Sequence, residues 1–148
     1  NLLFLNKYKK FLILNLFSNQ NPFEFGLDED FEVINNGFVD RETLAKNYQN
    51  TGAFLLIEGI DTNSDGNIPS KVFEYMKYSK PIFFSGSESS DVYNILLQTG
   101  HLIYLNTNKL TNTDISNFKN TFSKEKTMNF SRGNQLQILG DLINGFKE

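Results

Sequence analysis

The sequence predicts an α/β fold of the Rossmann-like type, in which a mostly parallel sheet carries helices on both faces. Short apolar segments typical of strands alternate along the chain with segments whose apolar residues recur at helical spacing. The strand segments are apolar on both faces, as Pro81–Phe84 shows. That composition is typical of parallel strands that helices cover on each side.

The predicted elements follow one another as βα units after an apolar helix at Leu2–Tyr8. The predicted strands are Phe11–Leu16, Phe31–Asn35, Ala53–Ile57, Pro81–Phe84 and Leu102–Leu105. The predicted helices between and after them are Asp40–Gln49, Ser70–Tyr78, Ser90–Thr99, Asp114–Phe122 and Asn134–Phe146. The last two have apolar residues at helical spacing and should pack over the sheet.

Capping residues support the helix boundaries. Asp40, and Ser89 or Ser90, precede predicted helices and suit the N-cap position, where a side-chain oxygen accepts a backbone N–H. Gly100 follows a helix and suits the left-handed C-cap. His101, the single histidine, comes directly after this glycine, and no serine or cysteine constellation suggests a catalytic triad, so we interpret it as structural.

Composition limits the classes of function. A chain of 148 residues is one domain by the usual relation of length to domain size. The net charge of −3 comes with no cluster of lysine and arginine, so we expect no nucleic-acid partner. The absence of cysteine excludes disulfides, thiolate metal sites and a cysteine nucleophile, and it agrees with a reducing compartment.

The N-terminal region imitates a secretory signal, because the basic KYKK precedes the apolar FLILNLF. The apolar run is short, Asn15 interrupts it, and no small-residue cleavage site follows, so a buried strand explains it better. No run approaches the roughly 20 apolar residues of a membrane span. We therefore expect no membrane span and a cytoplasmic location, at most peripheral to the inner face of the membrane.

The candidate site lies in Gly66–Phe84, which reads GNIPSKVFEYMKYSKPIFF. Pro69 suits the first helical position, and one stripe of the helix should be buried by Pro69, Val72, Phe73 and Met76. Ser70, Lys71 and Glu74 then share a neighbouring face near the positive end of the helix. That end suits a phosphate or diphosphate, and the Glu74 carboxylate suits a pair of hydroxyl groups.

Simpler interpretations of the same residues remain. Lys71 and Glu74 lie three residues apart, and spacing alone favours a surface ion pair. The preceding Asp61–Ile68 reproduces the D-x-N-x-D-G-x-I opening of an EF-hand calcium loop. Position twelve of that loop would be Val72 instead of a bidentate glutamate, so a solvated turn is the favoured interpretation and we expect no metal.

The segment IPSKVFEYM followed by KPIFF resembles the C-terminal, nucleotide-sugar-binding domain of GT-B-fold retaining glycosyltransferases (group 1 type). The family carries two glutamates eight residues apart, and Glu74 matches the second, which binds the donor ribose. Gly66 stands at the place of the first, as in the branch of the family with an IPSK-type sequence. Upstream, NNGFVDRETLAKNYQNTGAFLLI is similar to the family's strand, glycine loop and helix, so the resemblance covers residues 31–105.

The resemblance implies specific roles. Lys71 would be the catalytic residue that stabilises the leaving diphosphate. The donor contacts it implies are Pro69, Ser70 and Lys71 with the diphosphate, Glu74 with the ribose, and Gly37, Phe38, Val39 and Gly66 along the nucleobase side of the cleft. No cofactor is implied. The loop Ser85–Ser90 would cap a helix first and line the cleft second, and all these loops follow the carboxyl ends of strands.

The expected partners are a nucleoside-diphosphate sugar and a carbohydrate or lipid-linked acceptor, as in bacterial polysaccharide biosynthesis. Either the strand that opens the family's domain is missing here, or Leu2–Leu5 forms it, and in both cases the acceptor-binding N-terminal domain has no counterpart. We therefore expect residues 1–148 to be one donor-binding domain, a C-terminal fragment of a two-domain enzyme that is inactive alone. The alternative is a non-catalytic α/β module that binds a nucleotide or a partner protein.

Overall fold

The computed structural model describes residues 5–6, 9–10, 12–58, 68–105, 123–131, 133–134 and 136–137. The chain forms two compact units, Asn1–Gln49 and Asn50–Glu148. Each unit contains a small parallel sheet with neighbouring helices. The predicted fold class is confirmed, since parallel strands and helices alternate as in Rossmann-like α/β folds.

The first unit is built on a pair of parallel strands. Strand β1 (Leu14–Leu16) pairs with β2 (Val33–Asn35), and Leu14 lies opposite Val33. A 3-10 helix, Pro22–Phe25, lies in the connection between them and ends at Gly26 in the left-handed conformation. Both strands fall inside the predicted segments and are shorter than predicted.

Polar side chains tie the start of the first unit to the segment that precedes β2. The Asn6 side chain donates to the Gly26 carbonyl oxygen at 3.0 Å and to Asp28 Oδ1 at 2.8 Å. Lys9 Nζ lies 3.0 Å from Asp28 Oδ2 and 2.7 Å from Asp30 Oδ1. The hydrogen bond from Lys9 holds the pKa of Asp30 below its usual value. These pairs are exposed, so they contribute more to local order than to stability.

Helix α1 (Arg41–Asn50) follows β2 and is displaced by one residue from the predicted Asp40–Gln49. The carboxylate of Asp40 accepts the backbone N–H of Thr43 at 2.9 Å and the Thr43 hydroxyl at 2.7 Å. These two bonds lower the pKa of Asp40, because they stabilise its charged form. Asp40 is therefore the N-cap that the sequence indicated.

The second unit contains a three-stranded parallel sheet in the order β3-β4-β5. Its strands are β3 (Phe54–Ile57), β4 (Ile82–Ser85) and β5 (Leu102–Tyr104), and each lies within one residue of a predicted strand. Phe54 pairs with Ile82, and Ile82 pairs with Leu102. Helix α2 (Ser70–Met76) connects β3 to β4, and α3 (Asp91–Thr99) connects β4 to β5.

Both connecting helices contact the same face of this sheet. Tyr75 of α2 stacks on Phe54 with ring centroids 4.3 Å apart, and Tyr93 of α3 lies 6.5 Å from Phe84. Phe54 and Phe84 point to one face, because Phe54 pairs with Ile82 and side chains alternate along a strand. Right-handed crossovers between adjacent parallel strands place both helices on that side.

Burial in the core explains why the strand segments of the second unit are apolar on both faces. Ile82, Phe83 and Phe84 are all buried, so β4 is covered on both sides. Helix α2 buries Val72 and Met76. Helix α3 contributes a buried stripe formed by Val92, Ile95, Leu96 and Thr99. Burial of this apolar surface is the main favourable contribution to folding of the unit.

The predicted caps of α3 are confirmed. The Ser90 hydroxyl accepts the backbone N–H of Tyr93 at 3.2 Å. Gly100 is left-handed at φ 74°, and its N–H donates to the Leu96 and Leu97 carbonyl oxygens. Glycine tolerates this φ because it lacks a Cβ.

The start of α2 at Ser70 agrees with the predicted range, but the role of Pro69 and the C-terminal end differ from the prediction. Pro69 is the N-cap residue instead of the first helical residue, because its ψ of 134° is extended. The helix ends at Met76, two residues before the predicted Tyr78, and Ser79 takes a left-handed φ of 52°. Pro69 is exposed, whereas Val72 and Met76 of the predicted stripe are buried.

The sequence did not predict helix α4 (Lys124–Asn129). Ser123 caps it by accepting the Lys126 N–H at 3.2 Å, and the Ser123 N–H donates to the Thr99 carbonyl oxygen at 3.2 Å. The predicted helix Asp114–Phe122 lies outside the described residues. Of the predicted helices Leu2–Tyr8 and Asn134–Phe146, the structure describes only Leu5 and Asn6, in a 3-10 turn, and the helical residues 134, 136 and 137. Within the described part of the chain, no helix combines the length and apolarity needed to cross a bilayer.

His101 is a buried polar residue at the junction of α3 and β5. It is 0% exposed, and its Nδ1 lies 2.9 Å from Thr99 Oγ1. Its carbonyl oxygen accepts the Ile82 N–H at 2.8 Å, which extends the pairing of β4 with β5. Burial lowers the pKa of His101 to about 4, against a smaller opposing effect of the Met76 carbonyl. The ring is therefore neutral at pH 7, as a buried imidazole must be.

Acid should destabilise the protein through His101. The unfolded chain binds a proton on His101 near pH 6.5, whereas the folded chain binds it only near pH 4. The contribution of the neutral ring to the free energy of unfolding is therefore complete above pH 6.5, and it is lost as pH falls toward 4. The shift corresponds to roughly 3 kcal/mol. Urea denaturation between about pH 7 and pH 5 should show a decline in the free energy of unfolding that His101→Gln flattens. An equal decline in both proteins would contradict this assignment.

Candidate functional site

The carboxyl edge of the β3-β4-β5 sheet carries the candidate site. Because the strands are parallel, they all end at this edge, and α2 and α3 both begin there. Open parallel sheets bind ligands outside the carboxyl ends of their strands. The described segments at this edge are Glu58 after β3, Ser85–Ser90 after β4, Tyr104 at the end of β5, and the first turn of α2.

Lys71 and Glu74 lie together on the exposed side of α2. Lys71 Nζ is 2.9 Å from Glu74 Oε2, and the two side chains are 47% and 37% exposed. The structure therefore shows the surface ion pair that spacing alone favoured. Exposed pairs at this spacing contribute a few tenths of a kcal/mol, so a ligand could separate the two charges at small cost.

The helix start that the sequence assigned to a diphosphate is short. Pro69 caps the helix without a side-chain hydrogen bond, and its carbonyl oxygen accepts the Val72 N–H at 3.0 Å. Ser70 is exposed beside Lys71. With seven residues, α2 has a weaker macrodipole than a long helix, so the Lys71 charge is the stronger electrostatic element there.

Three of the predicted nucleobase contacts, Gly37, Phe38 and Val39, belong to the first unit. Gly37 takes a left-handed φ of 62°, and its N–H donates to Asn35 Oδ1 at 3.0 Å. The next residue, Phe38, is 79% exposed, and Val39 is half-buried. Glycine is favoured at position 37 because most other residues are strained at this φ. Gly66 and the calcium-like residues 61–67 lie outside the described residues.

The sequence analysis missed two residues at the carboxyl edge. Glu58 extends the β3-β4 ladder by donating its N–H to the Ser85 carbonyl oxygen at 2.8 Å, and its Oε2 accepts the Ser87 N–H at 3.3 Å. Tyr104 Oη donates to the Gly86 carbonyl oxygen at 2.9 Å. The signal for Glu58 was a lone carboxylate directly after the apolar FLLI. Nothing in the sequence marked Tyr104.

Gly86 lies in close contact with these neighbours. A Cβ at this position would lie 2.6 Å from Glu58 Oε2 and 2.8 Å from Glu58 Cβ, and closer still to the ring tip of Phe84. Tyr104 and Tyr93 pack edge to face behind the loop, with ring centroids 5.1 Å apart. Only glycine fits between the Phe84 ring and the Glu58 side chain.

Known proteins do not identify this chain. No family model matches it, and no curated protein or solved structure shows significant similarity to it. Among the described residues, no three or more histidines or carboxylates gather as metal ligands would. The resemblance to GT-B glycosyltransferases therefore stays a prediction from the sequence.

We expect Gly86→Ala to destabilise the protein by about 1–3 kcal/mol, because the new methyl group must displace the Phe84 ring or the Glu58 side chain. Thermal or urea denaturation measures this loss. Gly52→Ala is the matched control, since a Cβ there meets nothing within 4 Å. It should be neutral or stabilise slightly. Equal stability of the two variants would disprove the close contact at Gly86.

Proposed function

We propose that the second unit, Asn50–Glu148, binds the nucleoside-diphosphate sugar donor of a glycosyltransferase. The observation that carries the proposal is the adjacency of an exposed ammonium and an exposed carboxylate, Lys71 and Glu74, on the helix that begins at the carboxyl edge of a parallel sheet. The resemblance over residues 31–105 supports it. The acceptor would be a carbohydrate or lipid-linked molecule.

The proposed chemistry is electrostatic. Transfer breaks the bond between the sugar and the diphosphate, and negative charge builds on the departing phosphate oxygen. The Lys71 ammonium would stabilise that charge, with Pro69 and Ser70 shaping the start of the helix around the diphosphate. Glu74, one turn further along, would accept hydrogen bonds from the ribose hydroxyls.

The ion pair also supports a second candidate function. Lys71 and Glu74 contact each other, as they would in a non-catalytic α/β module that binds a nucleotide or a protein partner. A nucleotide-binding measurement distinguishes the glycosyltransferase proposal, which requires nucleotide binding, from a module that binds only a protein partner. Hydrolysis or transfer of a labelled sugar, measured on the full-length protein, then separates an enzyme from a nucleotide-binding module.

A thermal-shift screen with UDP, GDP, ADP and CMP derivatives tests the donor proposal. A ligand that binds the native state stabilises it by about 2.7 kcal/mol at a hundredfold excess over Kd, which raises the melting temperature measurably. We expect one nucleoside diphosphate to produce this shift and its free nucleoside to produce a smaller one. No shift with any of them would refute the donor site.

Glu74→Gln should weaken binding of that nucleotide by about tenfold to a hundredfold, since hydrogen bonds to a charged acceptor contribute about 1.5–3 kcal/mol. Isothermal titration measures the affinity, and a 2′,3′-dideoxy nucleotide should show the same loss with the unchanged protein. Glu42→Gln is the control, because Glu42 forms a similar exposed helix pair with Lys46 at 2.8 Å. Equal affinities of Glu74→Gln and the unchanged protein would exclude the ribose role.

Lys71→Ala should reduce affinity for the nucleoside diphosphate by about tenfold or more and leave affinity for the nucleoside nearly unchanged, because the ammonium would contact phosphate. The same titration at low and high salt should show a weaker salt dependence in the variant. Lys46→Ala, which removes the other exposed helix lysine, is the control. A loss of similar size for both ligands would argue against a phosphate contact.

A further inference from the structure

The loop Ser85–Ser90 lies at the same sheet edge as the start of α2, because α2 and α3 both begin where the parallel strands end. Its own hydrogen bonds are short-range. Ser87 Oγ lies 2.8 Å from Ser89 Oγ and accepts the Ser89 N–H at 3.2 Å. The Ser90 N–H donates to the Ser87 carbonyl oxygen at 3.2 Å. These bonds shape the turn before α3 and do not attach it to the other strands.

Two side chains link residues 86 and 87 of the loop to the neighbouring strands. Glu58, at the end of β3, places a carboxylate oxygen 3.3 Å from the Ser87 nitrogen. Tyr104, at the end of β5, donates to the Gly86 carbonyl oxygen at 2.9 Å. The peptide between Gly86 and Ser87 is thus held from both sides of β4. We call Glu58, Gly86 and Tyr104 the loop clamp.

Glu58 is half-buried beside Gly86, and its carboxylate is the acceptor for the Ser87 N–H. A charged acceptor holds an amide in place more firmly than a neutral one. A loop that is already held in its binding conformation loses less conformational freedom when it binds a ligand in one defined geometry.

We propose that Glu58 is a positioning residue for the donor site. Its carboxylate holds the Gly86–Ser87 peptide, Tyr104 holds the same peptide from the other strand, and the loop Ser85–Ser90 meets the donor in a preformed conformation. This inference rests on the proposed function for its ligand. The clamp itself can be measured in the free protein.

The test compares Glu58→Gln, which removes the charge, with Glu58→Ala, which removes the acceptor. Two-dimensional ¹⁵N NMR of the unliganded protein should show the Ser87 amide proton shifted upfield in both variants, and its exchange with solvent should accelerate by about tenfold in the alanine variant. Affinity for the nucleoside diphosphate selected by the thermal-shift screen should fall about fivefold in Glu58→Gln and further in Glu58→Ala. Glu42→Gln, which removes an exposed carboxylate from α1 in the first unit, should change neither quantity.

The NMR and affinity measurements test the loop clamp and the positioning role of Glu58 separately. An unchanged Ser87 signal in both variants would overturn the clamp, whatever the nucleotide affinities are. A changed signal with unchanged affinity at a temperature where the variants are fully folded would overturn the positioning role. If the unchanged protein binds none of the nucleotides, the donor function fails and its positioning role with it, while the Ser87 signal still decides whether Glu58 holds the loop.

Discussion

The pairing of β4 between β3 and β5 is the constraint on which the second unit depends. Every residue from Ile82 to Phe84 is buried, so this strand has no solvent-facing side and its backbone groups must pair with both neighbours. Tyr75 and Tyr93 extend the same packing from the helices. The carbonyl oxygen of His101 takes part as well, because it accepts the Ile82 N–H just before β5 begins.

That pairing also assembles the candidate site. Parallel strands in register end together, so Glu58, Gly86 and Tyr104 meet although they are far apart in sequence. The connections place both helices on one face of the sheet, and the Lys71–Glu74 pair lies on the exposed side of α2. The site is therefore a consequence of register and crossover direction, and its polar groups sit on rigid elements rather than on one long loop.

The two sets of polar residues differ in character. Lys71 and Glu74 are exposed and satisfy each other weakly, so a charged ligand can exchange with either partner at little cost. The side chains of Glu58 and Tyr104 form hydrogen bonds with backbone groups of a loop, so they have less conformational freedom. A donor site needs both sets of residues, since exposed charged side chains can contact the ligand and hydrogen-bonded loop residues keep the site in one geometry. The same division would serve a nucleotide-binding module without catalysis.

The sequence by itself determined the fold class, the strands and the caps of α1 and α3, because apolar periodicity and cap chemistry are local properties that a few neighbouring residues express. It also brought Lys71 and Glu74 together, since both lie on one helix turn. The position of Pro69 outside α2 was missed, because ψ at a single residue decides it. Helix α4 was missed because its segment, KEKTMN, has little apolar periodicity. Only the tertiary structure decided the contacts of Glu58 with Ser87 and of Tyr104 with Gly86, since strand register, not sequence spacing, determines which residues meet across a sheet.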